Sequence, residues 1–334
     1  MNIVEGDLQA PAPGDVEPLP VPGTAEHAAL VERGGAAIAR GEVALVVLAG
    51  GMATRMGGVV KALVEAIDGR TFLGLRLAEL DALKRRYGQA PPFWLMTSAA
   101  TEGPIRDALG DRLDGDRIAT FVQGTAQRLT PDGDVFLDDA GRPSEYAQGH
   151  GDLVDALRDS RLLARFVERG GRSLMLANLD NLGATLDPAL VGWHLAHGAP
   201  LSGEVVDLCS DRGGIPVRWN GRPVILEDFR IPPAFDRTGV GVFNTNTFHV
   251  DARALLDLDA TWTWFTVAKA VDGRTAIQRE RLLGELTSHL ETRFVHVPRN
   301  GPESRFLPVK DHDELARRKP ELRAALAARH VLDP

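Results

Sequence analysis

The chain of 334 residues holds one cysteine, Cys209, so no intrachain disulfide can form, a usage that fits a reducing, cytoplasmic setting. Lysine is nearly as scarce: Lys61, Lys84, Lys269, Lys310 and Lys319 are the only ones among 38 basic residues. Positive charge is not in surplus either. Acidic residues number 46, and the net charge of −8 argues against a general nucleic-acid binder, which needs a basic face. A polyanionic substrate must then be met by locally placed cations. No hydrophobic run is long enough to span a bilayer, and the N-terminus lacks the basic and apolar regions of a secretory leader, so no membrane partner is expected. What remains is ordinary for a globular protein: 44% hydrophobic and 25% charged, with a length that suits one large α/β domain or two smaller ones.

The most informative stretch runs from Val43 to Lys61. Val43–Leu48 is apolar and β-branched, the pattern of a buried central strand in a parallel sheet. It leads into Ala49-Gly50-Gly51, then a polar turn with Thr54 and Arg55, then Gly57-Gly58, and ends at Lys61. Glycines after a buried strand let backbone N–H groups approach an anionic ligand, because no Cβ intervenes. Arg55 and Lys61 add two positive charges beside that turn, which suits a nucleoside triphosphate whose leaving group must be neutralised. The loop is neither a dinucleotide G-x-G-x-x-G nor a Walker A motif, since no G-K-[ST] closes it. The plainer alternative is a glycine-rich turn with two solvated cations.

Along the chain, residues 1–23 are rich in Pro, Gly and acid and read as a flexible tail. Thr24 is placed to cap a helix reaching Arg40, broken or bent at Gly34-Gly35. Helices are expected over Phe72–Tyr87, with Leu73, Leu77, Leu80 and Leu83 on one face, over Thr101–Leu109 and over Gly151–Glu168. Strands are expected at Phe93–Met96, Ile118–Val122 and Ser173–Ala177, and Pro131–Asp134 reads as a hairpin turn. Strands alternating with helices, with polar residues collected at the strand ends, indicate a doubly wound α/β sheet. From about 202 to 250 the pattern becomes β-rich, with Asn220-Gly221 as a hairpin turn. This reads as a mixed-sheet insertion inside a single domain over 24–334. Ala252–Leu290 is expected to return to helix, Arg293–Val297 to strand, and the chain to finish in a helix near Asp313–Arg329.

Three polar motifs follow strands. Gln123 offers a donor and an acceptor together, as reading a pyrimidine edge requires, though a lone Gln after a strand is more often a loop residue. Gln148-Gly-His-Gly-Asp152 heads a helix: Gly149 and Gly151 permit close backbone approach, and His150 can donate to a ribose hydroxyl or a phosphate. The competing reading is a glycine-rich helix start capped by Asp152. Asn178-Leu-Asp180-Asn181 puts a carboxylate at the edge of a buried strand, a position that can bind Mg²⁺ bridging phosphate oxygens.

The string LAGGMATRMGG…K resembles the signature loop of the sugar-nucleotide pyrophosphorylases, with Ala53 where glycine is usual and Val60 where proline is usual. G-H-G-D at Gly149–Asp152 and N-L-D-N-L-G-A at Asn178–Ala184 resemble the branch that acts on UDP-glucose. Asp211-Arg-Gly-Gly214 is similar to that family's D-x-K-G-G, with Arg212 in place of lysine. Phe243-Asn-Thr-Asn246 resembles its F-N-T-N, and Arg305–Lys310 its R-F-L-P-V-K. Six motifs in family order over Val43–Lys310 identify the chain as a member of the UDPGP-type nucleotidyltransferases.

The resemblance implies a Rossmann-like mixed sheet flanked by helices, joining UTP and a sugar 1-phosphate, first of all glucose 1-phosphate, with Mg²⁺. In this reading Asp180 holds the metal, and Arg55, Lys61 and Lys310 face the phosphates. Leu48, Ala49, Gly50, Gly51, Gln123, Gly149 and His150 bind the nucleotide. Asn178, Gly213, Gly214, Glu227, Asn244 and Asn246 belong to the sugar side. The family's C-terminal β-helix is absent from the sequence, so a monomer or weak dimer is expected. Alternatives are a pyrophosphorylase for an N-acetylhexosamine or a secondary-metabolite sugar, and a catalytically silent nucleotide-sugar binder. A glycosyltransferase of similar topology is disfavoured by the lack of a D-x-D at a strand end.

Overall fold

The run Val43–Leu48 forms the expected strand, and its first five residues are buried. A computed structural model describes residues 3–53 and 56–332. The strand lies inside an eight-stranded sheet with the spatial order Val16–Pro18, Thr292–His296, Leu201–Asp207, Val242–Asp251, Ser173–Asn178, Val43–Leu48, Phe93–Thr97 and Ile118–Val122. Only Val242–Asp251 runs antiparallel to its neighbours; the other pairings are parallel.

Burial on both faces explains the unbroken apolar strand. Val43, Leu45 and Val47 pack on one side with Phe72, Leu75 and Leu80 of the helix Phe72–Tyr87 and with Leu322 and Leu326 of the helix His312–Ala328. Ala44 and Val46 pack on the other side with Leu153, Leu157 and Phe166. From Val43–Leu48 the chain winds outward through Phe93–Thr97 to Ile118–Val122, then returns to pair Ser173–Asn178 on the opposite flank. This reversal of strand order is where open α/β sheets bind ligands, beyond the carboxyl ends of the strands. Leu48 and Asn178 are register partners at that edge.

Five expectations need correction. Residues 3–23 are built into the fold: Leu8–Gln9 pairs Trp219 and Arg218, and Val16–Pro18 joins the main sheet beside Phe294–His296. Val4 is buried, and the Asp15 carboxylate accepts from Arg218 Nε at 2.7 Å, so an apolar and an acidic point of this segment tie it to the rest of the fold. Gly34-Gly35 does not break the helix Ala25–Ala39 that Thr24 caps. A Cβ on Gly34 would overlap Pro188 O, and one on Gly192 would overlap Leu30 O; the two glycines let this helix lie directly against the helix Pro188–His197. The helix expected over 151–168 is two helices, Leu153–Asp159 and Leu162–Glu168, separated at Arg161 with φ of 63°.

The β-rich stretch is split between sheets. Leu201–Asp207 and Val242–Asp251 belong to the main sheet, whereas Gly214–Trp219 and Arg222–Glu227 form a hairpin with Leu8–Gln9. Finally, 252–290 is mostly not helical. After the short helix Ala252–Asp257, Phe265–Val271 and Arg274–Glu280 form a hairpin turned at Asp272-Gly273, both with positive φ. Alternation in TVAKAVDGRTAIQ and a D-G turn are hairpin signals that outweigh helix propensity here. No helix among the described residues is long and apolar enough to cross a membrane.

Candidate functional site

At the strand-order reversal lies a cavity of about 420 Å³ lined by Leu48, Ala49, Gly50, Gly51, Lys61, Gln123, Gly149, His150, Asn178 and Asp180, together with Met52, Met96, Ala147, Leu179 and Glu280. Ten of the residues singled out in the sequence therefore meet at one opening. Arg55, a further candidate, lies outside the described residues. A larger cavity of about 860 Å³ lies elsewhere, between Glu79, Asp187 and Arg329, and contains none of them.

One end of the smaller cavity is set by Gln123. Its backbone N–H donates to Thr97 O at 2.9 Å, its residue is 8% exposed, and its amide lies where a Cβ on Gly50 would stand. Ser98 Oγ donates to Gly50 O at 2.9 Å and pins the glycine turn to the neighbouring strand. Opposite is the loop Gln148–Asp152. Gly149 has φ of 89°, and a Cβ there would meet Arg281 O at 2.5 Å, so only glycine fits. The backbone of Arg281 clasps this loop, donating to Gln148 O and accepting from Gly151 N–H. Its guanidinium binds Asp155 at 2.5 Å and also Asp152, whose carboxylate accepts from Gly124 N–H at 2.5 Å. Asp152 is thus a loop anchor more than a helix cap: no side-chain cap bond to its helix is made.

His150 accepts from Leu283 N–H through Nδ1 at 3.0 Å, which leaves the neutral ring's proton on Nε2. Burial pushes its pKa down to about 4, so the ring is a neutral donor near physiological pH.

At the mouth, Lys61 Nζ lies 2.5 Å from Asp180 Oδ2, with side chains 16% and 23% exposed. Lys61 follows the short antiparallel pair Met52–Ala53 with Val59–Val60, which folds the glycine loop back toward the strand ends. Asp180 is held on one side by Leu179 N–H, which donates to Leu48 O, and on the other by Val309 N–H, which donates to Asp180 O at 3.2 Å. That second bond, with the Asn181–Pro308 bridge, brings the backbone of Arg305–Lys310 alongside Asp180. Lys310 itself is exposed and does not line the cavity; its N–H donates to Glu314 Oε2.

From Asn178 a polar chain leads away toward the hairpin. Asn246 Nδ2 donates to Asn178 Oδ1 at 3.0 Å, and Asn246, with φ of 57°, takes a backbone N–H bond to Asn244 Oδ1. A Cβ on Gly214 would lie 3.3 Å from Asn244 Nδ2 and 3.0 Å from Glu227 Oε1, and Gly213 is beside the same carboxylate. The six sugar-side candidates are therefore contiguous. Burial, then the charge of Asp228, pushes the Glu227 carboxyl up to about 7, with Arg230 opposing.

Three arginines to which the sequence reading assigns no role hold this assembly. Arg281 is one. Arg305, 2% exposed, pairs with the fully buried Glu204 at 2.7 Å, and His249 Nε2 contacts the same carboxylate at 3.0 Å, tying the Arg305–Lys310 segment to the main sheet. Arg76 is the third; its place among Leu73, Leu80 and Leu83 on the apolar stripe is the signal that could have revealed it.

For a metal, the candidate donor is the Asp180 carboxylate, with Glu280 the other carboxylate in the cavity lining. No cluster of three or more His, Cys, Asp or Glu suited to a metal occurs among the described residues. A partly exposed carboxylate facing a cavity fits Mg²⁺, which is held by one or two carboxylates with substrate phosphates completing its shell.

A family model described as UTP–glucose-1-phosphate uridylyltransferase matches residues 15–329. The UTP–glucose-1-phosphate uridylyltransferase of Astragalus penduliflorus is 31% identical over 287 residues, 80% of this chain and 60% of that protein. The Saccharomyces cerevisiae enzyme of the same name is 28% identical, covering 84% and 60%. Among solved structures, a V402W mutant of the UDP-glucose pyrophosphorylase of Leishmania major superposes with a TM-score of 0.74 at 25% identity, over 84% of this chain and 66% of that one. The uridine diphosphate N-acetylglucosamine pyrophosphorylase of Trypanosoma brucei gives 0.79 at 18% identity, over 93% and 72%, a likeness of fold. The chain spans about 60% of the length of the curated relatives it matches. With the family model covering most of its length, the chain belongs to the UTP–glucose-1-phosphate uridylyltransferase family.

Proposed function

We propose that this chain transfers the uridylyl group of UTP to a sugar 1-phosphate, in the first instance glucose 1-phosphate, releasing pyrophosphate. The observation that carries the reading is the Lys61–Asp180 contact at the junction between the Gln123–Gly149 cavity and the Asn178–Asn246–Glu227 chain. A nucleotide base at Gln123 and a sugar beside Glu227 would bring their phosphates together at that contact.

In the proposed reaction an oxygen of the sugar 1-phosphate attacks the α-phosphorus of UTP. A new P–O bond forms and the bond from the α-phosphorus to the α,β-bridging oxygen breaks, so pyrophosphate leaves with the electron pair. The attacking phosphate is already anionic near neutral pH, so no general base is required; catalysis rests on positioning and charge neutralisation. Gln123 would read the uracil edge, with the Leu48–Gly51 and Gly149 backbones beside it. His150 would donate from Nε2 to the ribose or α-phosphate. Asn178, Asn244, Asn246, Gly213, Gly214 and Glu227 would line the sugar side. Lys61, Lys310 and Arg55 would meet the phosphates. Asp180 would hold Mg²⁺, which when bound supplies Lewis-acid neutralisation of phosphate charge.

A screen of the four ribonucleoside triphosphates against glucose, galactose and N-acetylglucosamine 1-phosphates, read by pyrophosphate release, tests the reading. UTP with glucose 1-phosphate is expected to give the highest kcat/KM. A best signal with N-acetylglucosamine 1-phosphate reassigns the sugar, and no release from any pair overturns the proposal.

A further inference from the structure

The buried pair Arg76–Glu79 does not line the cavity that holds Asp180, yet it holds the loop that presents Asp180. Arg76 is 1% exposed and Glu79 3%, three residues apart on the helix Phe72–Tyr87. One terminal nitrogen of Arg76 donates to Ala184 O at 2.8 Å and to Glu79 Oε2 at 2.9 Å. The other donates to Asn181 O at 2.8 Å and Asn178 O at 3.2 Å. Glu79 Oε1 in turn accepts from Leu186 N–H at 2.6 Å. A single ion pair thus fastens residues 178, 181, 184 and 186, which bracket Asp180 on both sides.

The geometry points to Arg76, oriented by Glu79, as a positioning residue that sets the place of the Asp180 carboxylate. The inference rests on the reading of Asp180 as the metal ligand. A buried charge is costly unless paired and fully bonded, so an arginine at a core position of an amphipathic helix calls for a compensating role. Here the planar fork gathers three carbonyls of one loop, those of Asn178, Asn181 and Ala184. Lysine cannot replace it, because one ammonium on a flexible stem cannot span acceptors on both sides of Asp180. Groups that orient a metal ligand commonly change metal affinity by about 10- to 100-fold when replaced.

The test compares Arg76→Lys and Glu79→Gln with the parent and with Asp180→Asn. Binding of Mn²⁺·UTP is followed by water-proton relaxation, with no sugar 1-phosphate present so that no turnover occurs. Binding of UTP in EDTA is measured by calorimetry, and melting temperature beside both. Both pair variants are expected to bind Mn²⁺·UTP at least about 10-fold more weakly. Metal-free UTP affinity is expected to stay within about twofold, since the Gln123–Gly149 end is untouched; Asp180→Asn should show the same pattern. If Arg76→Lys does not fold, Glu79→Gln, which keeps an acceptor for Leu186 N–H, carries the comparison. Parent-like Mn²⁺·UTP affinity in the pair variants, with a loss in Asp180→Asn, overturns the positioning role and leaves the metal assignment standing. Parent-like affinity in Asp180→Asn removes the metal assignment and this inference with it. A metal-free affinity that falls in step means general damage to the site, and also overturns the inference.

Discussion

Glu227 is a carboxyl that changes charge in the physiological range. Burial and the neighbouring Asp228 raise its pKa from the ordinary 4.5 to about 7. For a carboxyl raised in the folded state, the unfolded chain releases the proton first as pH rises. The folded state is therefore favoured by this group below about pH 4.5, loses that advantage as pH climbs to about 7, and stays level above. Glu227→Gln keeps the shape and removes the titration. Its stability relative to the parent should rise between pH 5 and pH 8 by on the order of 2 kcal/mol, allowing for partial exposure. Urea unfolding at the two pH values checks this, and curves that move in parallel would contradict it. His150 runs in the opposite sense, since burial lowers its pKa to about 4, and that keeps it neutral across the same interval.

At the scale of elements, the hairpin Phe265–Glu280 reaches the cavity through Glu280, and the Arg281 that follows it holds the Gln148–Asp152 loop. Arg281 stacks over Trp264 at 4.9 Å and binds Asp152 and Asp155. Arg281→Ala would leave the Asp152 carboxylate buried with only Gly124 N–H, a loss of about 3 kcal/mol in stability. It would also strip the side-chain half of the clasp from the loop that bears Gly149 and His150, leaving only the backbone bonds, so the KM for UTP is expected to rise more than kcat falls. Parent-like KM with lower stability alone would show the clamp to be structural only. Residues 252–290 read as helix in the sequence, although their alternation and D-G turn carry a hairpin signal. The hairpin is confirmed by cross-strand pairing that a local pattern only hints at, and Asp152 finds Arg281 across more than a hundred residues of chain. Strands are written more plainly in the sequence: residues 43–47 and 174–177 are buried and appear as uninterrupted apolar runs. Glycine loops and amides at their ends were legible for the same reason: buried strands must finish before polar chemistry begins. Proline and acid in the opening segment suggest a tail, whereas Asp15 pairs with Arg218 and Val16–Pro18 extends the sheet.

Across the whole molecule, the order of strands decides where chemistry can occur. Strands Val43–Leu48 and Ser173–Asn178 are neighbours in space though the chain visits two other strands of that sheet between them. Their adjacent ends bring the glycine loop and Asp180 to one opening, and the antiparallel strand Val242–Asp251 brings Asn244 and Asn246 next to it. The central claim is that phosphoryl chemistry takes place where Lys61 meets Asp180. The most direct measurement is pyrophosphate release from UTP, glucose 1-phosphate and Mg²⁺ by the parent, Asp180→Asn and Lys61→Ala, with melting temperatures recorded alongside. The parent should release one pyrophosphate for each UDP-glucose formed. Each variant should lose at least about 100-fold in turnover, the scale of removing one strong electrostatic stabiliser, while melting within a few degrees of the parent. Variants that turn over like the parent, or that lose activity only because they no longer fold, would contradict the account.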